Sequence, residues 1–207
     1  MFKKLIVSLG FFTTLLLGST SEDGANAAAK GDFQTAFIIW QDLASNGDSE
    51  AQTGLGDIYS EGLGVKQDYK KAVEWYEKAA NQGFAFAQNN LGVMYDEGKG
   101  VKQDYKKAFE LFEKSANQGL IQAQFSLGNM YRQGKGIKQD YKKAKEWYEK
   151  AASQGYSNAQ YNLGNMYYNG QGVRQDKKIA KEWFGKACDG GLQIGCDNYK
   201  ILNQQEY

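Results

Sequence analysis

The chain has neither proline nor histidine among its 207 residues. Without proline, helix ends depend on glycine and on capping side chains. Without histidine, the chain lacks the usual general base near neutral pH, the commonest zinc ligand and every Ser-His-Asp or Cys-His arrangement. We therefore expect no metal site and no cofactor.

The chain also lacks an excess of charge of either sign. The 25 basic and 24 acidic residues give a formal net charge of +1. An apolar fraction of 42% with 24% charged residues is typical of a folded soluble protein. A near-neutral chain does not indicate binding to nucleic acid or to an anionic membrane surface.

The N-terminus resembles a secretory leader. Residues 1–18 have a basic start followed by an apolar stretch of about 14 residues, too short to span a membrane. Small residues at the minus-three and minus-one positions predict cleavage after Ser21 or after Ala27, and we prefer Ala27, which gives a leader over 1–27. The alternative is an uncleaved anchor. Since no cysteine follows the apolar stretch, we expect no lipid anchor.

These features predict a periplasmic or secreted protein, without stable membrane insertion once the leader is removed. The two cysteines agree with this location. Cys188 is placed at the end of one predicted helix, and Cys196 one turn into the next. A short turn between antiparallel helices brings two such side chains within bridging range, so we predict a disulfide that stabilises by roughly 2–3 kcal/mol. The alternative is a pair of buried free thiols.

A repeat of constant length occupies most of the chain. The string GVKQDYKKAVEWYEKAANQG at 64–83 returns with small changes at 100–119, 136–155 and 172–191. A second string, AQTGLGDIYSEGLG from Ala51, returns in phase from Ala87, Ala123 and Ala159. A regular period of this kind, here 100 − 64 = 36 residues, is typical of a stacked helical array.

Each repeat contains two helical patterns. In the repeat 84–119, Ala87, Leu91 and Met94 fall at helical spacing, and Asp104 is a predicted N-cap of the second helix. A glycine recurs inside every first helix, at Gly56, Gly92, Gly128 and Gly164. Glycine there costs about 1 kcal/mol relative to alanine, so its return indicates close helix packing.

The invariant glutamines of the first helices are predicted to be structural hydrogen-bonding residues: Gln52, Gln88, Gln124 and Gln160. On the second helices, lysines and glutamates alternate at four-residue spacing, which predicts a solvated face rather than a basic binding strip.

The repeats extend into partial units at both ends. We predict a domain over 28–207 with a half-repeat at 32–47, four repeats at 48–83, 84–119, 120–155 and 156–191, and a capping helix at 192–204. About ten helices are expected. The capping helix is expected to present a more polar face, which would end the array.

The string A-x-x-x-L-G-x-M-Y-x-x-G-x-G-V-x-Q-D-Y-x-K-A resembles the Sel-one-like repeat (SLR), a relative of the tetratricopeptide repeat (TPR), from Asp32 to the C-terminus. The resemblance implies an all-α fold, a right-handed α-solenoid of helix–turn–helix repeats in a TPR/SLR-like superhelix. The cysteine pair resembles that of cysteine-rich SLR proteins of pathogenic bacteria, but only the last repeat carries it. The family and the leader together imply a bacterial source.

Residues that vary between repeats are the candidates for partner binding. One face of the first helices varies at spacing i, i+4, i+7, and we call its residues the first-helix stripe. In related folds this helix lines the concave surface. The stripe begins with Thr53, Asp57 and Ser60, and its predicted partner-binding residues are Asn89, Val93, Asp96, Phe125, Asn129, Arg132, Tyr161, Asn165 and Tyr168. The alternative is an ordinary variable surface.

The function predicted from these features is that of an exported, monomeric, non-enzymatic scaffold. Its partner would be a protein, a peptide or an envelope glycan. The alternative is a β-lactamase-type hydrolase, a label given to some SLR proteins. The S-x-x-K, S-D-N and K-T-G strings of that chemistry do not occur in the sequence.

Overall fold

The repeat sequence folds into paired helices of equal length. A computed structural model describes residues 18–204, and within that range the chain forms eleven α-helices and no strand. The helices are α1 (Ser21–Ala29), α2 (Phe33–Ser45), α3 (Ser49–Glu61), α4 (Tyr69–Asn81), α5 (Ala85–Glu97), α6 (Tyr105–Asn117), α7 (Ile121–Gln133), α8 (Tyr141–Ser153), α9 (Ser157–Asn169), α10 (Lys177–Asp189) and α11 (Gln193–Gln204). The prediction of an all-α helical repeat solenoid is confirmed.

Aspartate caps start the second helices, as the sequence predicts. The Asp104 side chain accepts hydrogen bonds from two backbone N–H groups of the first turn of α6, and Asp68, Asp140 and Asp176 cap α4, α8 and α10 in the same way. The first helices end at glycine in the left-handed conformation, for example Gly98 at φ 69°. These caps fix the same helix bounds in each repeat.

The glycines inside the first helices lie against aromatic rings of the following helix. A Cβ added to Gly128 would be 2.6 Å from Cδ1 of Tyr148, and one added to Gly164 would be 2.5 Å from Cε1 of Phe184. The predicted steric reason for glycine is therefore confirmed at these positions. Fully buried alanines, among them Ala144 and Ala180, complete the close contact.

The helices group into two compact units. Unit 1 ends at Gln103 and contains α1–α5, and unit 2 starts at Asp104 and contains α6–α11. Within each unit, consecutive helices pack against each other, most extensively α3 with α4, α7 with α8 and α9 with α10.

Glutamine pairs connect the first helix of a repeat with the end of its second helix. In unit 1, Gln82 Nε2 donates to Gln52 Oε1 at 2.8 Å, and in unit 2 Gln154 Nε2 donates to Gln124 Oε1 at 2.9 Å. The last repeat has Gly190 where the others have this second glutamine, and Gln160 Oε1 is buried without a hydrogen-bond partner among the described residues. The structural role predicted for Gln52 and Gln124 is thus confirmed.

The C-terminal helix α11 is bonded to α10 by the predicted disulfide. Cys188 and Cys196 are bridged with a Cα–Cα distance of 4.5 Å. The exposed side chains of α11 include the polar Gln193, Asp197 and Lys200 together with Ile194 and Ile201, which are 48% and 51% exposed. Ile201 lies 36 residues after Asn165 and therefore occupies a first-helix stripe position. In the earlier repeats, the helix that carries this position is followed by a second helix.

The N-terminal end contains a helix that the repeat pattern did not predict. Helix α1 lies across the preferred leader boundary, since Ala27 is one of its residues. Residues 1–17 of the predicted leader lie outside the described residues. Across residues 18–204, none of the helices has the length and apolar character needed to cross a membrane.

Candidate partner-binding site

The first-helix stripe lies on α3, α5, α7 and α9, and most of its side chains are half-buried. Several of them also serve the fold. The Thr53 hydroxyl is buried and donates to the Ser49 carbonyl at 2.8 Å. The variable face is therefore only partly free for a partner.

Asp57 is the centre of a buried polar cluster in unit 1. Its Oδ1 accepts a hydrogen bond of 2.6 Å from the Tyr76 hydroxyl and one of 3.0 Å from Asn90 Nδ2. Burial raises the pKa of Asp57, and the nearby Glu61 charge adds to the rise, while the bonds from Tyr76 and Asn90 oppose it. Burial first, and then the Asp57 charge, raises the pKa of the Tyr76 hydroxyl.

Asn129 takes the same place in unit 2. The Tyr148 hydroxyl donates to Asn129 Oδ1 at 2.6 Å, and Arg132 Nε donates to the Tyr148 oxygen at 3.2 Å. Burial raises the pKa of Tyr148, and the Arg132 charge partly offsets this. Two predicted binding residues, Asn129 and Arg132, thus hold a tyrosine of the next helix.

The stripe aromatics are packed rather than freely exposed. Phe125 contacts Tyr148 and Tyr156, with ring centroids 5.8 and 5.2 Å apart, and Tyr161 contacts Phe184 at 5.5 Å. These side chains are half-buried and use part of their surface for packing.

A cavity of about 480 Å³ lies on the stripe in unit 1. Three stripe residues line it, namely Asp57, Ser60 and Val93. The other lining groups include the carboxylates of Glu61 and Glu97, the Lys99 ammonium and the rings of Tyr69 and Tyr76. Lys99 Nζ is 2.7 Å from Glu97 Oε2. The cavity therefore contains the carboxyl groups of Asp57, Glu61 and Glu97 and one cation, which is already paired with Glu97. We call this space the acidic cavity.

A smaller cavity of about 260 Å³ lies in unit 2. The stripe residues Asn165 and Tyr168 line it together with Phe184 of α10 and Ile201 and Leu202 of α11. We call it the apolar cavity. Sequence reasoning missed the contribution of α11, which the pattern assigned to capping alone, and the two isoleucines of that helix were the available signal.

The remaining predicted residues line neither cavity: Asn89, Asp96, Phe125, Asn129, Arg132 and Tyr161. Within residues 18–204, no group of three or more acidic, cysteine or histidine side chains is arranged to hold a metal ion.

Comparison with known proteins identifies the repeat. A sequence model of the Sel1 repeat matches residues 49–84, 85–120, 121–156 and 157–192. The chain belongs to the Sel1 repeat family. Each matched segment starts one residue later than the predicted repeat boundary. No curated protein matches the chain.

Solved Sel1 structures have the same fold. A protective antigen of uropathogenic Escherichia coli with an SLR fold is 35% identical, with a TM-score of 0.78, over 84% of this chain and 37% of the antigen. A Sel1 repeat protein of Oxalobacter formigenes is 30% identical, with a TM-score of 0.79, over 84% of this chain and 70% of that protein. This chain therefore spans little more than a third of the antigen's length.

A third similar structure is the cysteine-rich protein B of Helicobacter pylori. It is 30% identical, with a TM-score of 0.50, over 64% of this chain and 96% of that protein. The Sel1 repeat fold is that of protein–protein interaction scaffolds, and Sel1 repeat proteins typically bind protein partners.

Proposed function

We propose that this Sel1 repeat protein is an exported, non-enzymatic scaffold that binds a protein partner through residues of the first-helix stripe. The observation that carries the proposal is that the two stripe cavities lie on the helix face that varies between repeats. Variable residues around preformed cavities are suited to specific recognition of partner side chains.

The acidic cavity favours a partner with a basic side chain. It combines the half-buried Asp57 with Glu61 and Glu97, and among the lining residues only Lys99 offsets their charge. A lysine or arginine entering the cavity would pair with these carboxylates, of which Asp57 is less exposed than Glu61 and Glu97.

The apolar cavity suits an aliphatic or aromatic side chain. Phe184, Ile201 and Leu202 give it apolar walls, and Asn165, Asn169 and Asn198 offer amide groups for a partner backbone. A peptide uses both kinds of contact. A glycan would need open aromatic faces, whereas Phe125 and Tyr161 are packed against other rings.

Export is supported by the leader pattern and by the disulfide. A basic start with a short apolar stretch is typical of a secretory leader, and disulfides persist in oxidising compartments. The bridge between Cys188 and Cys196 is compatible with a periplasmic or secreted location.

Hydrolase chemistry has weak support in the acidic cavity, although a serine and a lysine both line it. The Ser60 hydroxyl donates to the Asp57 carbonyl at 3.1 Å and accepts from the Tyr76 hydroxyl at 3.3 Å. Lys99 forms a hydrogen bond and an ion pair with Glu97, and both raise the pKa of Lys99. This lysine therefore stays protonated and is no general base. The pair therefore lacks an activated nucleophile.

The proposal is tested by isosteric removal of charge from the acidic cavity. The double variant Glu61→Gln and Glu97→Gln should weaken binding of the partner by about tenfold or more, since it removes two carboxylates that face the cation. The matched control is Glu50→Gln with Glu74→Gln, because both are exposed glutamates of unit 1 outside the cavity.

The binding measurement starts with capture from an envelope extract, followed by titration of the captured protein against wild type, variant and control. Equal affinity of the variant and wild type would contradict the acidic-cavity proposal. If a protease-treated extract still yields the ligand, the partner is a glycan and the peptide proposal is wrong.

A further inference from the structure

Helix α1 is anchored to the rest of unit 1 through Trp40. The Trp40 indole N–H donates to the Ser21 carbonyl at 3.1 Å, and the indole is only 8% exposed. Ala27 and Ala28 pack against the hydrophobic cluster that contains Trp40. The helix therefore covers the largest side chain at this end of the molecule.

Glycine is required at the point where α1 crosses the indole. A Cβ added to Gly24 would lie 2.6 Å from Cδ1 of Trp40, closer than carbon atoms pack. This close approach shows a fitted contact between α1 and α2.

The start of α1 is fixed by two further sets of hydrogen bonds. Thr20 and Asp23 form a reciprocal capping box. The Ser21 hydroxyl donates to Asp48 Oδ1 at 2.6 Å, and the same oxygen accepts from the Ala51 N–H at 2.7 Å. Ser21 thus connects α1 to the N-cap of α3.

Cleavage after Ala27 would remove most of these contacts. The mature chain would lose the Ser21 carbonyl and the Gly24 surface, so the Trp40 indole would be exposed and its N–H would lose its partner in the protein. Exposing a buried tryptophan loses the favourable burial of its apolar surface. Cleavage after Ser21 would also remove Thr20 and Ser21 with their hydrogen bonds, but it would keep α1 residues from Glu22 onward, and with them the contact of Gly24 with Trp40 and the packing of Ala27.

We infer that the leader is cut at or before the bond between Ser21 and Glu22, and that α1 remains on the mature protein as its N-terminal helix. The inference rests on the proposed export. The cleaved peptide bond then lies shortly after the apolar stretch. Ser19 and Ser21 are the small residues at minus-three and minus-one that a signal peptidase recognises.

The test uses the full chain with a C-terminal tag, produced in a Gram-negative host and recovered from the periplasm. Intact mass and N-terminal sequencing should show a chain that starts at Glu22 or earlier. A chain that starts at Ala28 overturns the inference and leaves export intact. An unprocessed chain retained in the cytoplasm overturns both the inference and the export proposal.

A substitution distinguishes the two bonds a second time. Ala25→Glu places a charged residue at the minus-three position of the later bond, and Ala25 is exposed, so the fold is not disturbed. Processing of Ala25→Glu should match that of wild type, and of the control Ala29→Glu, another exposed alanine of α1 outside both recognition pairs. Accumulation of unprocessed Ala25→Glu would show that the later bond is used.

Discussion

At the residue scale, Asp57 is a side chain whose ionisation opposes folding. Its pKa is raised above the ordinary 3.8 by burial. An acid with a raised pKa in the folded state binds protons more tightly there than in the unfolded chain. Its contribution to stability is therefore fully present below the unfolded pKa and is lost as pH rises through the folded pKa.

Asp57→Asn should remove this penalty and keep the hydrogen bond from Tyr76, because Asn129 accepts the equivalent bond from Tyr148 at 2.6 Å. We expect the midpoint of thermal unfolding at pH 7 to rise by roughly 2–4 °C, the shift that about 1 kcal/mol gives in a chain of this size. The difference from wild type should shrink as the pH falls to 3.8 or below. A difference that grows in acid would contradict the prediction.

A second residue-scale prediction concerns the interior glycines. Gly128→Ala gains about 1 kcal/mol in helix propensity, yet its Cβ would lie 2.6 Å from Tyr148 Cδ1. Overpacking of this kind costs about 1–3 kcal/mol, so the free energy of unfolding in urea should fall. Gln122→Ala, at an exposed position of the same helix, should have little effect. A more stable Gly128→Ala protein would show that Tyr148 can move aside.

Residue-level prediction from sequence was confirmed at repeated positions and was incomplete at varying ones. The recurrence of Gly128 and Gln124 indicates a structural requirement common to the repeats. The structure shows that Gly128 makes room for an aromatic ring and that Gln124 accepts a hydrogen bond from another glutamine. Asp57 and Asn129 differ between repeats and were assigned to a free surface, although both accept a tyrosine hydroxyl. Part of the signal was pairing: where the stripe has Val93, the following helix has Phe112 in place of tyrosine, whereas Asn165 is followed by Phe184 and does not fit this pairing.

At the element scale, the terminal helices follow different rules from the internal ones. Helix α1 has the sequence SEDGANAAA, which lacks the repeat motif and carries no large apolar residue. Its stability comes from the Trp40 contact, which sequence periodicity cannot show. Helix α11 occupies a first-helix position and exposes Ile194 and Ile201.

The disulfide should mainly hold α11 in place. Helix α11 packs mostly on α10, so it can open without disrupting the earlier repeats. Replacing Cys188 and Cys196 together by serine should cost about 2–3 kcal/mol on the chain-entropy estimate for a loop this short. Amide hydrogen exchange should speed up across 193–204, while α7 and α8 stay protected. Equal loss of protection in α8 would contradict this local role.

At the scale of the whole molecule, a repeat array is stabilised by contacts between helices that are neighbours in sequence. The ability of the chain to fold should therefore depend on keeping whole repeats and not on the total number of residues. The backbone angles before α5 and α7 support this. Phe84 has φ −67° and ψ 117°, and Leu120 has φ −64° and ψ 118°. Both residues lead into a first helix that packs on the preceding second helix, α5 on α4 and α7 on α6.

Deletion of 85–120, one whole Sel1 repeat, should therefore leave a folded protein, because Phe84 would lead into α7 as it now leads into α5. Helicity per residue by circular dichroism should stay unchanged, while the unfolding enthalpy falls by about 25 kcal/mol in proportion to length. Deletion of 85–102 removes α5 alone and places two second helices in succession. That control should lose helicity beyond the deleted residues, since Phe112 of α6 would then follow a helix without the interior glycine that Gly56 of α3 provides for Tyr76 of α4. Equal helicity in the two deletions would show that the alternation of helices does not determine the fold.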